Sequence, residues 1–247
     1  MSNITFNNEK HEYRDNAGKL LISVSQLIHC FIPEFDPDGH IARACAKREG
    51  ISEEEIKARW AKAGTDATKY GTKFHEDVET YIKTKKIPNN ENKFFIEQFS
   101  KLGFKGRLQT ETILFSLKDR IAGTCDVIEY LSNNEVSLGD WKSNKKGLDK
   151  ENKYKKFMLP PFEHLPATKW ISYNLQLNLY SYLMEQRGYW TVDMNIFWIN
   201  PESKLIEKHP VKFMPAETKE LIKFAKNPPR HKISIEKQQE EETEEFF

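Results

Sequence analysis

Cysteine is scarce in this chain: Cys30, Cys45 and Cys125 stand far apart, with no CxxC pair. Three scattered thiols build no disulfide framework and cannot supply the four thiolates of an iron–sulfur cluster; they suit a reducing, intracellular setting such as the cytoplasm. Long hydrophobic runs are missing too. A mean hydropathy of -0.71 and the lack of an uninterrupted apolar stretch exclude a membrane-spanning helix. The start, MSNITFNNEKHEY, has no basic segment followed by an apolar core, so no secretory signal is read there. Neither sign of charge dominates, with 38 Lys+Arg against 37 Asp+Glu, and no internal repeat is present. What is there is core material: 38% hydrophobic and 12% aromatic residues in 247, enough for a packed domain and too much for a disordered chain.

Periodicity divides the chain. Residues 4–25 read as a small hairpin turned at Asp15-Asn16-Ala17-Gly18, and 36–86 as helical, with Ser52 ahead of Glu54 and Glu55 as a helix start. After the Pro88-Asn89-Asn90 break, a short helix is expected over 92–102, then strands over 107–117, 120–131 and 135–142. A long polar insertion follows. Helix returns over 172–188, ended by Gly188, then strands over 191–198 and 205–213, and a last helix opened by Pro215. This order predicts an α/β or α+β core: one domain over 1–226, made of a hairpin and helices (1–106) and a catalytic core (107–226), with a flexible acidic tail over 227–247.

Four segments place polar groups where packing is expected. In GTKFHEDVE, His75 and Glu79 share a helix face four residues apart, behind Gly71. In AGTCDVIEY, strand alternation puts Thr124, Asp126 and Ile128 on one face and Cys125, Val127 and Glu129 on the other; a buried Asp126 needs a cation, a proton or several donors. In SLGDWKSNKKG, Val136, Leu138, Asp140 and Lys142 share a face one hairpin after Asp126, so adjacent strands can bring the two carboxylates to one metal ion. In YNLQLNLYSYLME, Gln176 and Tyr180 share a helix face, with Tyr173 near that line. Taken singly, each segment also fits a solvated helix face, an edge aspartate, a surface charge pair or a core helix.

Taken in order, GTKFHEDVE, AGTCD, GDWKS and QLNLY resemble the PD-(D/E)XK nuclease superfamily, specifically its RecB-like exonuclease branch, over about residues 71–180. The chain looks similar to phage-encoded and mitochondrial genome maintenance exonucleases. That resemblance implies a restriction-endonuclease-like fold, a central mixed sheet flanked by helices. It also implies a metal-dependent deoxyribonuclease acting as an exonuclease at single-stranded DNA ends in replication, recombination or repair. By the same resemblance, His75, Asp126, Asp140 and the Trp141 carbonyl ligate Mg²⁺ or Mn²⁺, Lys142 is the catalytic lysine, and Gln176 and Tyr180 form the supporting QxxxY element. Glu79 and Glu111 are supporting candidates. Cys125 stands where the family pattern has proline. The alternatives are a structure-specific endonuclease or nickase of the same fold and a non-catalytic nucleic-acid-binding subunit.

Imidazole among the ligands points toward Mn²⁺ as well as Mg²⁺, since nitrogen donors favour later divalent metals. Lys142 beside two carboxylates is expected to stay charged and stabilise negative charge rather than act as a base.

Between Trp141 and Trp170, eight lysines face three acids and aromatic rings are interleaved. Lys145, Lys146, Lys153, Tyr154, Lys155, Lys156, Trp170 and Tyr173 are therefore the expected nucleic-acid contacts, with Phe157 and Phe162 as further rings. Lys57, Arg59, Lys62 and Lys69 are a second candidate grip. The tail from Glu236 carries six glutamates and one lysine and ends in Phe246-Phe247, so the near-neutral total hides a basic body and an acidic end. A replication or recombination partner docking on that tail, or its folding back on the basic site, is the expectation there.

Overall fold

In the computed structural model, residues 4–7, 10–33, 40–144, 147–200 and 203–229 are described. Three short strands, β1 (Ile4–Asn7), β2 (Glu12–Asp15) and β3 (Leu20–Ser23), form an antiparallel meander. The Asp15 side chain closes the second turn by accepting the N–H groups of Ala17 and Lys19. The meander stops at Ser23, because Ser23 and Gln26 form a reciprocal capping box that starts helix α1 (Val24–His29). Ser25 thus belongs to a helix and not to the expected hairpin. The SVSQ sequence held that signal. Helix α2 (His40–Glu49) precedes the 32-residue α3 (Glu53–Thr84), whose first turn is capped by Ser52 and whose end is set by left-handed Lys85.

After α4 (Lys93–Gln98) and one 3₁₀ turn (Phe99–Leu102) come β4 (Arg107–Ser116), β5 (Ile121–Tyr130) and β6 (Glu135–Lys142). Helix α5 (Lys169–Glu185) starts three residues earlier than the apolar period indicates, because Thr168 caps it. Strands β7 (Trp190–Asn200) and β8 (Leu205–Pro210) and helix α6 (Pro215–Phe224) complete the order. Strand β8 ends at Pro210, short of the expected Phe213.

The eight strands make one mixed sheet, β1-β2-β3-β5-β6-β7-β8, with β4 paired to β5. Strands β3/β5 and β6/β7 run parallel; the other pairs are antiparallel. One face packs on α1, α5 and α6 through Leu27, Leu138, Leu179, Met194 and Leu221. The other carries an aromatic cluster in which Phe74 of α3, Phe99, Trp141 and Phe197 meet at ring distances of 4.7–6.1 Å. Both halves of this mixed α/β architecture therefore deliver side chains to the middle of β5. No helix among the described residues is long and apolar enough to cross a membrane.

Candidate metal centre and nucleic-acid cleft

The centre of β5 is where the sheet opens. Along one edge, β5 pairs with β4 throughout; along the other, β3 pairs only with Ile121 and Ala122 and β6 only with 127–130. Residues 123–126 lie between these two partners. Beyond the Val127–Gly139 pair, β6 leaves β5, and the Trp141 N–H is caught by the Asp126 carboxylate at 2.8 Å. A β-carbon on Gly139 would sit 2.5 Å from Phe197 and 2.6 Å from Val127, so glycine is what lets the strands converge before they part.

Register aligns three acids. Thr110 pairs with Val127 and Thr112 with Cys125, which sets Glu111 opposite Asp126; Asp140 is the next position after the Val127–Gly139 pair. The alternation expected for β5 does not survive here. Cys125 packs with Ile128 on the α5 side while Val127 joins the aromatic cluster on the other, so Cys125 and Val127 do not share a face. The physical cause lies beside them: Glu111 is left-handed (φ 45) and the β6 ladder is already broken.

His75 arrives from α3, held by Phe74, which is fully buried in the aromatic cluster. Its Nδ1 lies 3.1 Å from Glu111 Oε1 and its Nε2 3.7 Å from Asp126 Oδ2. Ligating atoms of His75, Glu111 and Asp126 all fall within 4.8 Å of one another. Glu111, a supporting candidate from sequence, thus belongs to the innermost group. Glu79 does not. It pairs with Lys83 at 2.5 Å one turn further on, at the border of the cleft.

Asp140 also stands apart from that trio. Its carboxylate, 1% exposed, takes the nearest cation, Lys142 Nζ, at 2.7 Å. Asp140 Oδ1 accepts from Gln176 Nε2 at 3.3 Å, and the same amide donates to Tyr180 Oη at 3.2 Å. Buried Oδ2 has no hydrogen-bond partner among the described residues beyond that ion pair. The Lys142 ammonium in turn lies 4.6 Å over the Tyr173 ring, whose hydroxyl accepts from Asn144 at 2.9 Å. Trp141 contributes its N–H, to Asp126, and buries its ring in the aromatic cluster.

Burial and like charge shape the site's acidity. Burial lifts the Asp140 pKa to about 7, reinforced by Asp126 and opposed by Lys142. Asp126 is also raised, by burial first, with His75 opposing and Glu111 adding to the rise. For His75, burial disfavours the charge, yet Asp126 and Glu111 outweigh it and hold the pKa at about 9. Lys142 likewise stays protonated: Asp140 more than offsets its burial. Two carboxylates and an imidazole, with a third carboxylate adjoining, form an oxygen-rich donor set that fits a divalent cation such as Mn²⁺ or Mg²⁺.

The group opens into a cleft of ≈1130 Å³ bordered by α2, α3 and the lysine-rich segment. Tyr154, Lys156 and Tyr173 border it with His75, Glu111 and Lys142; Lys153 and Lys155 are exposed beside them. Lys145 and Lys146 lie outside the described residues, as does the tail from 230 onward. Trp170 is partly buried against the core, with Lys150 4.6 Å over its ring, so it is less open to a ligand than its sequence context implies. Phe162 is not a stacking ring at all: it is 1% exposed and packs edge-on against Phe31. Leu148, Met158 and Leu165 are buried with it, which anchors the insertion to the main core. In the second candidate grip, Arg59 pairs with Glu49 and Glu55 and Lys62 with Asp66, so these two cations are already matched along the helix surface.

The Tyr13 hydroxyl, on a residue not singled out in the sequence, meets that of Thr124 at 2.8 Å and ties the N-terminal meander to the strand of Asp126. No family model and no curated protein matches this chain. A solved structure titled "Crystal structure of SSO0001" is similar at 16% identity, over 84% of this chain and 74% of that one, with a TM-score of 0.40.

Proposed function

We propose that this protein is a metal-dependent deoxyribonuclease that hydrolyses phosphodiester bonds at DNA ends. The observation that carries the reading is the juxtaposition of the His75, Glu111 and Asp126 donors, within 4.8 Å of one another, with the buried Asp140–Lys142 pair. The RecB-like order of motifs supports it, as does a lysine- and tyrosine-bordered cleft over the same residues.

His75, Glu111 and Asp126, with Asp140 adjoining, would hold Mg²⁺ or Mn²⁺. Such an ion, when bound, supplies a Lewis acid for the phosphate and a hydroxide near neutral pH. The chain's own residues do the rest. Lys142, kept protonated by Asp140, neutralises charge that develops on the phosphate oxygens and does not serve as the base. Gln176 fixes the carboxylate that holds this lysine, and Tyr180 fixes Gln176. Burial of the Asp126 and Asp140 carboxylates strengthens each of these interactions.

The test uses end-labelled linear and circular DNA, single- and double-stranded, in Mg²⁺, Mn²⁺ or EDTA, with wild type, Asp126→Asn and Lys142→Ala. The expected result is metal-dependent shortening from the ends of linear DNA, lost in both variants, with circles intact. Cleavage of circles would move the reading to an endonuclease or nickase. Binding without any cleavage would make the chain a nucleic-acid-binding subunit.

A further inference from the structure

The N-terminal meander lies outside the run of motifs, yet it sends a polar atom to the strand that carries Asp126. Along β2, Glu12 and Arg14 pair with each other, while Tyr13 between them turns inward and is 1% exposed. Its ring stacks on Phe6 at 4.6 Å and is buried with Ile4, Leu21 and Ala122. Packing alone does not call for the hydroxyl: phenylalanine would fill the same pocket with no O–H to satisfy. That hydroxyl meets Thr124 Oγ1 at 2.8 Å. Thr124 falls in the stretch of β5 between its last pair with β3, at Ala122, and its first with β6, at Val127. Gly123 and Cys125 face α5, so Ala122 and Thr124 face the other side, where α3 delivers His75. Thr124 pairs with Ile113, two residues from Glu111, and stands two residues from Asp126. A two-residue step along a strand is about 7 Å, which puts both carboxylates near the Thr124 hydroxyl. Their charge reaches Tyr13 as well: burial first, with Glu111 and Asp126 adding to it, pushes its pKa up to about 12. In that field the hydroxyl protons line up. The phenol donates to Thr124 Oγ1, and the Thr124 proton is left for the carboxylate side, directly or across one water.

We infer that the meander is a working part of the metal centre: Tyr13 is a positioning residue that, through the Thr124 hydroxyl, orients the Glu111 and Asp126 carboxylates toward the cation. This rests on the metal-dependent reading above and deepens it, naming a determinant of cation affinity outside the motif run. A donor that holds a ligating carboxylate from behind fixes its direction before the ion arrives, and losing such a donor costs roughly 10–100-fold in metal affinity.

The experiment titrates Mn²⁺ into the full-length, metal-free protein by isothermal calorimetry, with the melting temperature of each variant read beside it. Tyr13→Phe keeps the ring and its packing and removes only the oxygen. Thr124→Val keeps the shape but leaves the buried phenol without its partner, so its melting temperature should fall. Tyr13→Phe/Thr124→Val leaves neither group unpaired and should regain that melting temperature. All three should nevertheless bind Mn²⁺ about tenfold or more weaker than wild type, the double variant no weaker than Thr124→Val, because the two hydroxyls act as one chain. Thr124→Ser, which keeps the hydroxyl, should match wild type. Asp15→Asn is the control. It breaks the 2.6 Å Arg120–Asp15 pair that ties the same meander to the residue before β5, so it should lower the melting temperature and leave Mn²⁺ affinity unchanged. Unaltered affinity in Tyr13→Phe, or affinity that falls in step with melting temperature across the set, Asp15→Asn included, would overturn the positioning role while wild type still bound Mn²⁺ and cut DNA. A wild type that binds no Mn²⁺ would bring down the metal centre and this inference with it. Mn²⁺ binding with no cleavage of any DNA would bring down the nuclease reading alone, and the Tyr13→Phe titration would still decide the inference.

Discussion

The ring of Tyr180 occupies the space that a side chain on Gly123 would need: a β-carbon there would lie 2.7 Å from Tyr180 Cε1 and 3.1 Å from its hydroxyl. Gly123 sits in the opened stretch of β5, three residues before Asp126, and Tyr180 holds the Gln176 that holds Asp140. A glycine on one strand thereby sets the position of a carboxylate on another.

Gly123→Ala should accordingly act at a distance. Forcing a methyl into this contact is an overpacking change worth roughly 1–3 kcal/mol of stability, readable by urea unfolding. Deleting the ring removes the tightest of these contacts and leaves Val24 Cγ2 at 3.0 Å, so the loss in Gly123→Ala/Tyr180→Ala should be smaller than the sum of the single losses. Additive losses would mean that the two residues do not compete for the same space.

His75 reports on Glu111. Their 3.1 Å contact and the nearby Asp126 hold the histidine's pKa at about 9 against the effect of burial. In metal-free protein, the His75 ring followed by NMR should titrate near that value, and Glu111→Gln should lower it, since one of the three supporting carboxylates, Asp126, Glu111 and Asp140, is removed. The same variant should weaken Mn²⁺ binding by isothermal titration, whereas Glu79→Gln should not, because Glu79 is engaged with Lys83. Equal weakening by both would place Glu79 in the donor set.

Phe74 is the anchor that sets the depth of His75. Fully buried among Phe95, Phe99 and Trp141, it should cost about 3–5 kcal/mol when cut to alanine, with near-UV circular dichroism of the aromatic cluster reduced. Phe74→Leu should cost less and leave the His75 titration near its wild-type position. A small loss in Phe74→Ala would show that α3 is held chiefly by its other contacts.

How far sequence leads here depends on whether a residue's role is local. Strands β4 to β6, the α3 start at Ser52 and the shared face of Asp140 and Lys142 were all legible, since caps, turns and alternation are short-range signals. The Glu111–Asp126 alignment was legible in principle, because the tight turn between β4 and β5 fixes their register. What alternation could not give is its own failure at Cys125, where β6 leaves β5 and a left-handed Glu111 faces it; that break depends on three strands at once. The Asp140 carboxylate turned to Lys142, and Phe162 turned into the core, depend likewise on tertiary packing. Residues Lys145 and Lys146 fall outside the described residues, so their expected contacts remain part of the proposal.

Stability of the metal-free protein should fall as pH rises from about 5 to 9. Asp140 has a folded pKa of about 7, above its unfolded value of roughly 3.9. Its bound proton therefore stabilises the fold fully below that unfolded value, and the contribution disappears as pH passes through 7. His75, at about 9 against roughly 6.5 unfolded, contributes fully below the latter and loses that contribution through 9. Both terms have the same sign in this window. Lys142→Ala sharpens the effect, because Lys142 is what holds the buried Asp140 pKa down: without it the carboxyl titrates higher still, and at pH 8 the loss of the charged pair costs up to about 3–5 kcal/mol, limited by how readily Asp140 takes up a proton. At pH 5 the carboxyl is protonated and the loss should be much smaller. Asp140→Asn/Lys142→Met should recover most of the pH 8 stability, since neither position of the pair then carries a charge. Urea unfolding at pH 5 and pH 8, with and without Mn²⁺, separates these contributions; a Lys142→Ala penalty equal at both pH values would mean that Asp140 is not the charge this lysine neutralises.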